Sequence, residues 1–302
     1  MHADVRKSGG LDKSGTGGQS VCMRSFFLVC CLSCLLWSGL LAESVPVRAA
    51  SGLPADRQAG LAVDLYCLRL GYPVIHSLED HTDGSSFLVL KDGSRVPYTL
   101  PAGVDAPLDA VDVCASMAEV YPLEPERPAK PGTAGQLRSA LLLQALYGQE
   151  PAAVAQSLQT AFVQANPVRL SLRAALALQK ADAHLVLAVS RMPEIYSLLK
   201  PDRGFAWQEG GSSTPGPHAF GIAVDLSSDK APDWRGSPQM PHPMQYTYPS
   251  AVVAAMEEQG FIWGGKWREY ELMHFEYRPE LIYKARILRA IEYLRQNTVT
   301  AP

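Results

Sequence analysis

The text His218-Ala219-Phe220-Gly221-Ile222-Ala223-Val224-Asp225, completed downstream by Glu271-Leu272-Met273-His274-Phe275-Glu276, decides how the rest of the chain is read. It holds two imidazoles, a carboxylate seven residues after the first, and a Glu three residues before the second. Two His and one Asp are a sound donor set for a catalytic Zn2+, because three protein ligands leave a fourth position for water. Water held there beside a carboxylate base becomes a hydroxide-like nucleophile near neutral pH. The reading is metal-assisted hydrolysis.

Asp225 follows Ala223 and Val224 in an apolar run, where an unpaired carboxylate is costly to bury and metal coordination would remove the cost. Small and β-branched residues over 219–226 predict a strand, within which Gly221 lets another backbone come close. A second strand is expected over 270–277, turning His274 to the same face as Leu272 and Glu276. Glu271 is then the general base, taking a proton from the metal-held water and handing it to a leaving amine without ligating the metal. Glu276 is placed to orient an imidazole.

Outward from this stretch, residues 201–214 form a polar, glycine-containing loop of the kind that frames sites. Residues 231–249, rich in proline, read as an irregular wall or lid. Helices are expected over 250–259 and 285–296, and Trp207, Trp263 and Trp267 either line a cleft or pack as core aromatics. Upstream, the apolar spacing predicts helices over 136–147, 151–165 and 174–199, the last kinked or split by Pro193. Residues 123–135 are a proline-rich connector, and 51–122 a small mixed unit. That unit has a helix over 61–70 and a hairpin over 86–98 turning at Asp92-Gly93. The lead-in helices and the catalytic part then occupy 136–302, with a core over 200–284.

Hydrophobic residues make up 47% and charged residues 19% of the 302, with a formal charge of −3, so there is no general basic surface for nucleic acid. Residues 1–50 do not read as fold. Arg24 precedes an uncharged apolar run over 26–42, the layout of a secretory signal. Export to a periplasm or cell envelope is the expectation, with an uncleaved anchor, or transient membrane association through this run, as the minority reading. Cys22, Cys30, Cys31 and Cys34 lie in or beside the run. Cys67 and Cys114 remain, and in an oxidising compartment they are a candidate disulfide.

The paired motifs His218-x-x-Gly221-x-Ala223-x-Asp225 and Glu271-x-x-His274 resemble the zinc D-alanyl-D-alanine carboxypeptidase and L-alanyl-D-glutamate endopeptidase family, which includes the vancomycin-resistance D,D-peptidases. The surrounding text over 260–267 and 273–281 is similar as well. The resemblance covers about 205–281, with a weaker likeness over 137–148. It implies an α+β fold, hedgehog- and D,D-peptidase-like, with a small antiparallel sheet flanked by helices. It also implies His218, Asp225 and His274 as Zn2+ ligands, Glu271 as base, and peptidoglycan stem peptides as substrate.

Two positions depart from the family pattern. Gly216 stands where Ser is usual, and Gln208 follows Phe205-Ala206-Trp207 where many members have an Arg that steadies the tetrahedral oxyanion. Gln208 itself, Arg203, Arg268 or Arg278 are the candidates for that role. The expected activity is D-alanyl-D-alanine carboxypeptidase. The alternatives are an L-alanyl-D-glutamate endopeptidase and a catalytically silent, zinc-stabilised wall-binding module, against which the retained Glu271 argues.

Overall fold

In the computed structural model, which describes residues 47–48, 55–99, 111–125, 128–207, 215–237 and 239–298, the architecture is α+β. The signal-like run, the four cysteines beside it and Gln208 lie outside the described residues. Strand β1 (Val47–Arg48) and helix α1 (Ala55–Gly71) are followed by β2 (Ile75–Asp80), β3 (Ser86–Leu90) and β4 (Arg95–Thr99), which form a sheet in the order β1-β2-β3-β4. The expected hairpin is β3–β4. Gly93 adopts φ +85°, and the Asp92 carboxylate accepts from the Ser94 backbone N–H, closing the turn.

Helix α2 (Val113–Met117) leads to α3 (Ala140–Tyr147), which is shorter than the expected 136–147 because Ser139 caps it, its hydroxyl accepting from the Leu142 N–H. Helix α4 (Pro151–Ser157) stops well before the expected 165. The chain turns instead into the hairpin β5 (Leu158–Val163) and β6 (Asn166–Ser171). Two consecutive left-handed residues, Gln164 (φ 47°) and Ala165 (φ 68°), make its turn, and Asp182 accepts from the Gln164 N–H. The apolar spacing over 158–163 serves a strand rather than a helix face. Helix α5 (Leu172–Arg191) follows, and Pro193 splits the expected long helix into α5 and a 3-10 turn (Pro193–Leu198).

Four short strands make the sheet that carries the motifs: β7 (Pro201–Arg203), β8 (Ala223–Leu226), β9 (Phe261–Trp263) and β10 (His274–Tyr277), in the order β7-β8-β10-β9. Helices α6 (Met244–Thr247) and α7 (Ser250–Glu258) intervene between β8 and β9, and α8 (Pro279–Thr298) closes the described chain. Alternation along the strands gives this sheet two characters. Val224, Phe261, Trp263, Phe275 and Tyr277 enter one core with the β5–β6 hairpin, α5 and α7. Ile262 enters a second core, and its cross-strand partner is Glu276.

That second core is assembled from both sides of the proline-rich segment. Leu61, Leu65 and Leu68 of α1 and Leu88, Val96 and Tyr98 of the first sheet pack with Trp267, Leu281, Ile282 and Ala285. Polar ties cross the same boundary: the Tyr72 hydroxyl donates to Glu280 (2.7 Å), and Lys284 pairs with Asp64 (2.7 Å). The described residues belong to one compact unit.

The expected disulfide is not formed, since Cys67 and Cys114 are both free thiols. Cys67 faces the second core from α1 and is fully buried, and burial pushes its thiol up to about 12. Cys114 is half-buried on α2 and packs at the edge of that core. The Cys67 side chain serves as a small apolar filler there.

Gly221 has the close-approach role expected of it. Its φ is +63°, and a Cβ on it would lie 2.6 Å from Leu158 Cδ2 and 2.9 Å from the Ser171 backbone nitrogen. The Ser171 N–H in turn donates to the Gly221 carbonyl at 2.7 Å, joining the β5–β6 hairpin to the motif. Gly221→Ala adds a left-handed penalty of about 1–2 kcal/mol to an overpacking cost of about 1–3 kcal/mol. Urea denaturation should show a loss of roughly 2–5 kcal/mol; a midpoint indistinguishable from wild type would contradict this packing.

Candidate metal centre

Asp225 occupies the middle of the motif sheet, with Arg203 of β7 and His274 of β10 as its cross-strand partners. Two sequence-distant motifs thus meet because β8 and β10 are antiparallel neighbours in a register that pairs Asp225 with His274. His218 reaches the same point from a 3-10 turn (Pro217–Phe220) that ends on Gly221. One donor atom from each of His218, Asp225 and His274 lies within 4.8 Å of the others, and all three residues are buried. Among the described residues this is a group that could hold a metal ion.

The hydrogen bonding around the imidazoles fits that use. His218 Nδ1 lies 2.8 Å from the Gly204 carbonyl, which can only accept, so Nδ1 carries the proton and Nε2 presents its lone pair. That Nε2 faces Asp225 Oδ1 at 3.2 Å, an acceptor opposite an acceptor unless a cation or an extra proton stands between them. His274 turns Nδ1 to Asp225 at 2.8 Å, while its Nε2 has no hydrogen-bond partner closer than the Glu276 carboxylate at 3.6 Å. His218 is steadied from outside by the Gly204 carbonyl, His274 has the Glu276 carboxylate behind it, and both offer their inner nitrogens to the same carboxylate, as metal-binding histidines do.

Charges behind the cluster are paired. Glu276 is fully buried and accepts from Arg138 at 2.7 Å, with Arg278 at 3.5 Å. Burial alone would raise its carboxyl, but Arg138 foremost, then His274 and Arg278, hold it well below the usual carboxylate range. Burial would likewise raise Asp225, and the two imidazoles hold it low. For His274, burial acts to lower the imidazole, yet the bond to Asp225 and the nearby Glu276 carboxylate outweigh it and lift it to about 9. The site is built for positive charge at its centre.

The expected strand over 270–277 begins only at His274, and Glu271 instead lies in the turn before it. Its N–H donates to the Gly264 carbonyl at 3.1 Å, and its own carbonyl accepts from the His274 N–H at 3.1 Å. A Cβ on Gly264 would lie 2.6 Å from the Glu271 carbonyl oxygen, which gives the Gly264-Gly265 pair a role that sequence alone left blank. The turn puts the Glu271 carboxylate 3.9 Å from His274 Nδ1 with its side chain 29% exposed, beside the cluster but outside the set of three.

A cleft of about 480 Å³ opens over these groups, lined by His218, Asp225, Glu271 and His274 together with Arg138, Arg203, Asp233 and Arg235. Of the sequence-derived oxyanion candidates, Arg203 lines it. Arg268 does not, and Arg278 is buried beneath, bonded to Glu280 and Glu276. Gly216 lines the cleft as well. Arg138 and Arg235 were not singled out from sequence. Arg138 sits just ahead of α3 and reaches the cleft by stacking on Trp267, with its guanidinium carbon 5.4 Å from the ring centroid. Trp263 and Trp267 are core residues, 1% and 2% exposed; the Trp267 ring packs 5.7 Å from His274, and Trp207 packs edge-on to Phe220. The irregular 231–249 segment does form a wall: Asp233 bridges to Glu271, and the Tyr270 hydroxyl donates to the Ser237 carbonyl.

A small mixed sheet-and-helix fold that brings two His and an Asp together under an open cleft, with a Glu beside the set at its rim, has the arrangement of a metallopeptidase-type site. Residues 210–277, which contain every member of the cluster, match the family model described as D-alanyl-D-alanine carboxypeptidase. Comparison with curated proteins and with solved structures gives no match.

Proposed function

We propose that the chain is a zinc-dependent peptidase acting on peptidoglycan stem peptides, with removal of a terminal D-alanine as its reaction. The observation that carries this reading is the convergence of His218, Asp225 and His274 within the family-matched stretch, with Glu271 adjacent yet outside the set. His218 Nε2, the Asp225 carboxylate and His274 Nδ1 would hold the ion. When bound, Zn2+ supplies Lewis acidity toward a carbonyl and lowers the pKa of water at its open position. Glu271 accepts the proton of the attacking water and delivers it to the departing amine. Gly204 and Glu276 keep the two imidazoles aimed, and Arg138 keeps Glu276 ionised. Arg203 lines the cleft as the cross-strand neighbour of Asp225, and it is the cation we assign to the developing oxyanion in place of the family's Arg at the Gln208 position. The apolar run over 26–42 behind Arg24 supports export to the cell envelope, where this substrate resides.

The silent-module reading draws on Gln208 and Gly216, but a structural site has no use for a partly exposed carboxylate at its rim. Digestion of defined muropeptides, with the products weighed, separates the readings. Loss of a D-alanine mass is expected, abolished by chelator and restored by Zn2+. Cleavage between L-alanine and D-glutamate would make the chain an endopeptidase. Intact substrates in the presence of bound zinc would leave the silent module.

A further inference from the structure

Helix α5 exposes an apolar stripe on the side away from the core. At 100° per residue, Leu172, Leu176, Ala183 and Leu187 fall within one narrow sector, with Val186 beside them. Ala174, Ala175, Leu178, Ala181 and Leu185 are buried on the opposite side. Leu172, Leu176, Val186 and Leu187 are 54%, 50%, 49% and 57% exposed. One flank of the stripe is cationic, carrying Arg173, Lys180 and Arg191. Along this flank lies a cavity of about 420 Å³, lined by Leu172, Leu176, Arg173 and Lys180 of α5 and by Arg286 and Tyr283 of α8. Three cations, Arg173, Lys180 and Arg286, stand in its lining against one acid, Glu258, so the excess charge at the mouth is positive. None of the residues lining this cavity lines the catalytic cleft.

We infer that this face is a docking surface for an anionic lipid bilayer, the cavity taking an anionic headgroup while the leucines enter the headgroup and acyl boundary. Half-exposed leucines in a row beside cations with long apolar stems are the composition of an interfacial helix, in which Arg and Lys reach up to phosphates as the apolar side sinks. A second copy of the chain is a poorer occupant. Four half-exposed side chains offer a few hundred Å², against the roughly 800 Å² per partner of a stable protein interface. Charge complementarity decides the kind of membrane, since a cationic rim gains on anionic lipid and gains nothing on a neutral one.

The test is flotation of the full chain with vesicles of phosphatidylcholine alone and of phosphatidylcholine with phosphatidylglycerol. Wild type is compared with Lys180→Glu/Arg191→Glu and with Leu172→Ser/Leu176→Ser/Leu187→Ser. All of these positions are exposed, and thermal melts confirm that each variant is folded. Binding should favour the anionic vesicles and weaken with salt. It should fall at least about twentyfold in the charge-reversal variant, and the serine variant should lose it. Equal binding of wild type and both variants would overturn the inference and assign attachment to the run over 26–42. Equal binding to neutral vesicles, or a dimer in sedimentation with no vesicle binding, would overturn it as well. Because the readout is flotation, the result is independent of whether the cleft hydrolyses stem peptides.

Discussion

Glu271→Gln is expected to lower kcat on a D-alanyl-D-alanine stem peptide by about 10²- to 10⁴-fold, the range for loss of a positioned general base. Bound zinc and thermal stability should stay unchanged. The carboxylate stands beside the His/Asp/His set rather than in it, and its side chain is partly exposed, so the amide neither removes a donor nor leaves a buried group unpaired. Glu and Gln have nearly the same shape, so the backbone contacts of the turn, Glu271 to Gly264 and His274 to Glu271, survive. KM should move little, because the base acts on the proton in flight rather than on the bound peptide. A variant retaining activity within a few-fold of wild type would assign the proton to another group. One that lost zinc with activity would make Glu271 a ligand.

The second large effect concerns stability and lies behind the site. Lys266 is 1% exposed, and its ammonium donates to Glu257 and to the Pro122 carbonyl while facing the Tyr121 ring at 4.7 Å. Tyr121 donates its hydroxyl to the same Glu257 oxygen and accepts the Trp263 N–H, so the triad fastens the segment before the proline-rich stretch to strand β9. Lys266→Met leaves Glu257 buried without its cation, a loss of about 3–5 kcal/mol. The double variant Lys266→Met/Glu257→Met, which removes both charges, should recover much of it.

The pH dependence has a definite sign. Burial already pushes the Glu257 carboxyl up to about 7 against the pull of Lys266, and without Lys266 it moves higher. The folded state then holds a proton that the unfolded chain releases near pH 4.5, so stability falls as pH rises above that value. Denaturation of Lys266→Met at pH 5 and pH 8 should show the larger deficit at pH 8. A deficit equal at both, or larger at pH 5, would rule out a buried, uncompensated Glu257.

The site was legible in the sequence because its chemistry is concentrated in two short motifs with unusual residue types in apolar surroundings. His218, Asp225 and His274 meet at one point, and the Glu271 carboxylate lies beside them outside the set. What the text could not supply was geometry created by long-range packing. Arg138 approaches from the end of a distant helix through Trp267, and no local pattern marks it. The sequence extends the strand before His274 too far because nothing local marks the turn that Gly264 holds through its bond from the Glu271 N–H. The 158–171 hairpin was hidden for a related reason. Its apolar spacing satisfies a helical period as well as a strand, and the turn rests on Gln164 and Ala165, residues that rarely adopt positive φ. The thiols Cys67 and Cys114 count as a pair in the sequence, and that they are free thiols of α1 and α2 at one core is visible only once the core is seen.

Anomalous diffraction at the zinc edge from crystals of the wild-type chain grown with Zn2+ tests the central claim most directly. One peak is predicted about 2.0–2.2 Å from His218 Nε2, an Asp225 oxygen and His274 Nδ1 together, with the Glu271 carboxylate outside that distance. A peak that omits any of the three, or that includes Glu271 among the bound atoms, would contradict the account.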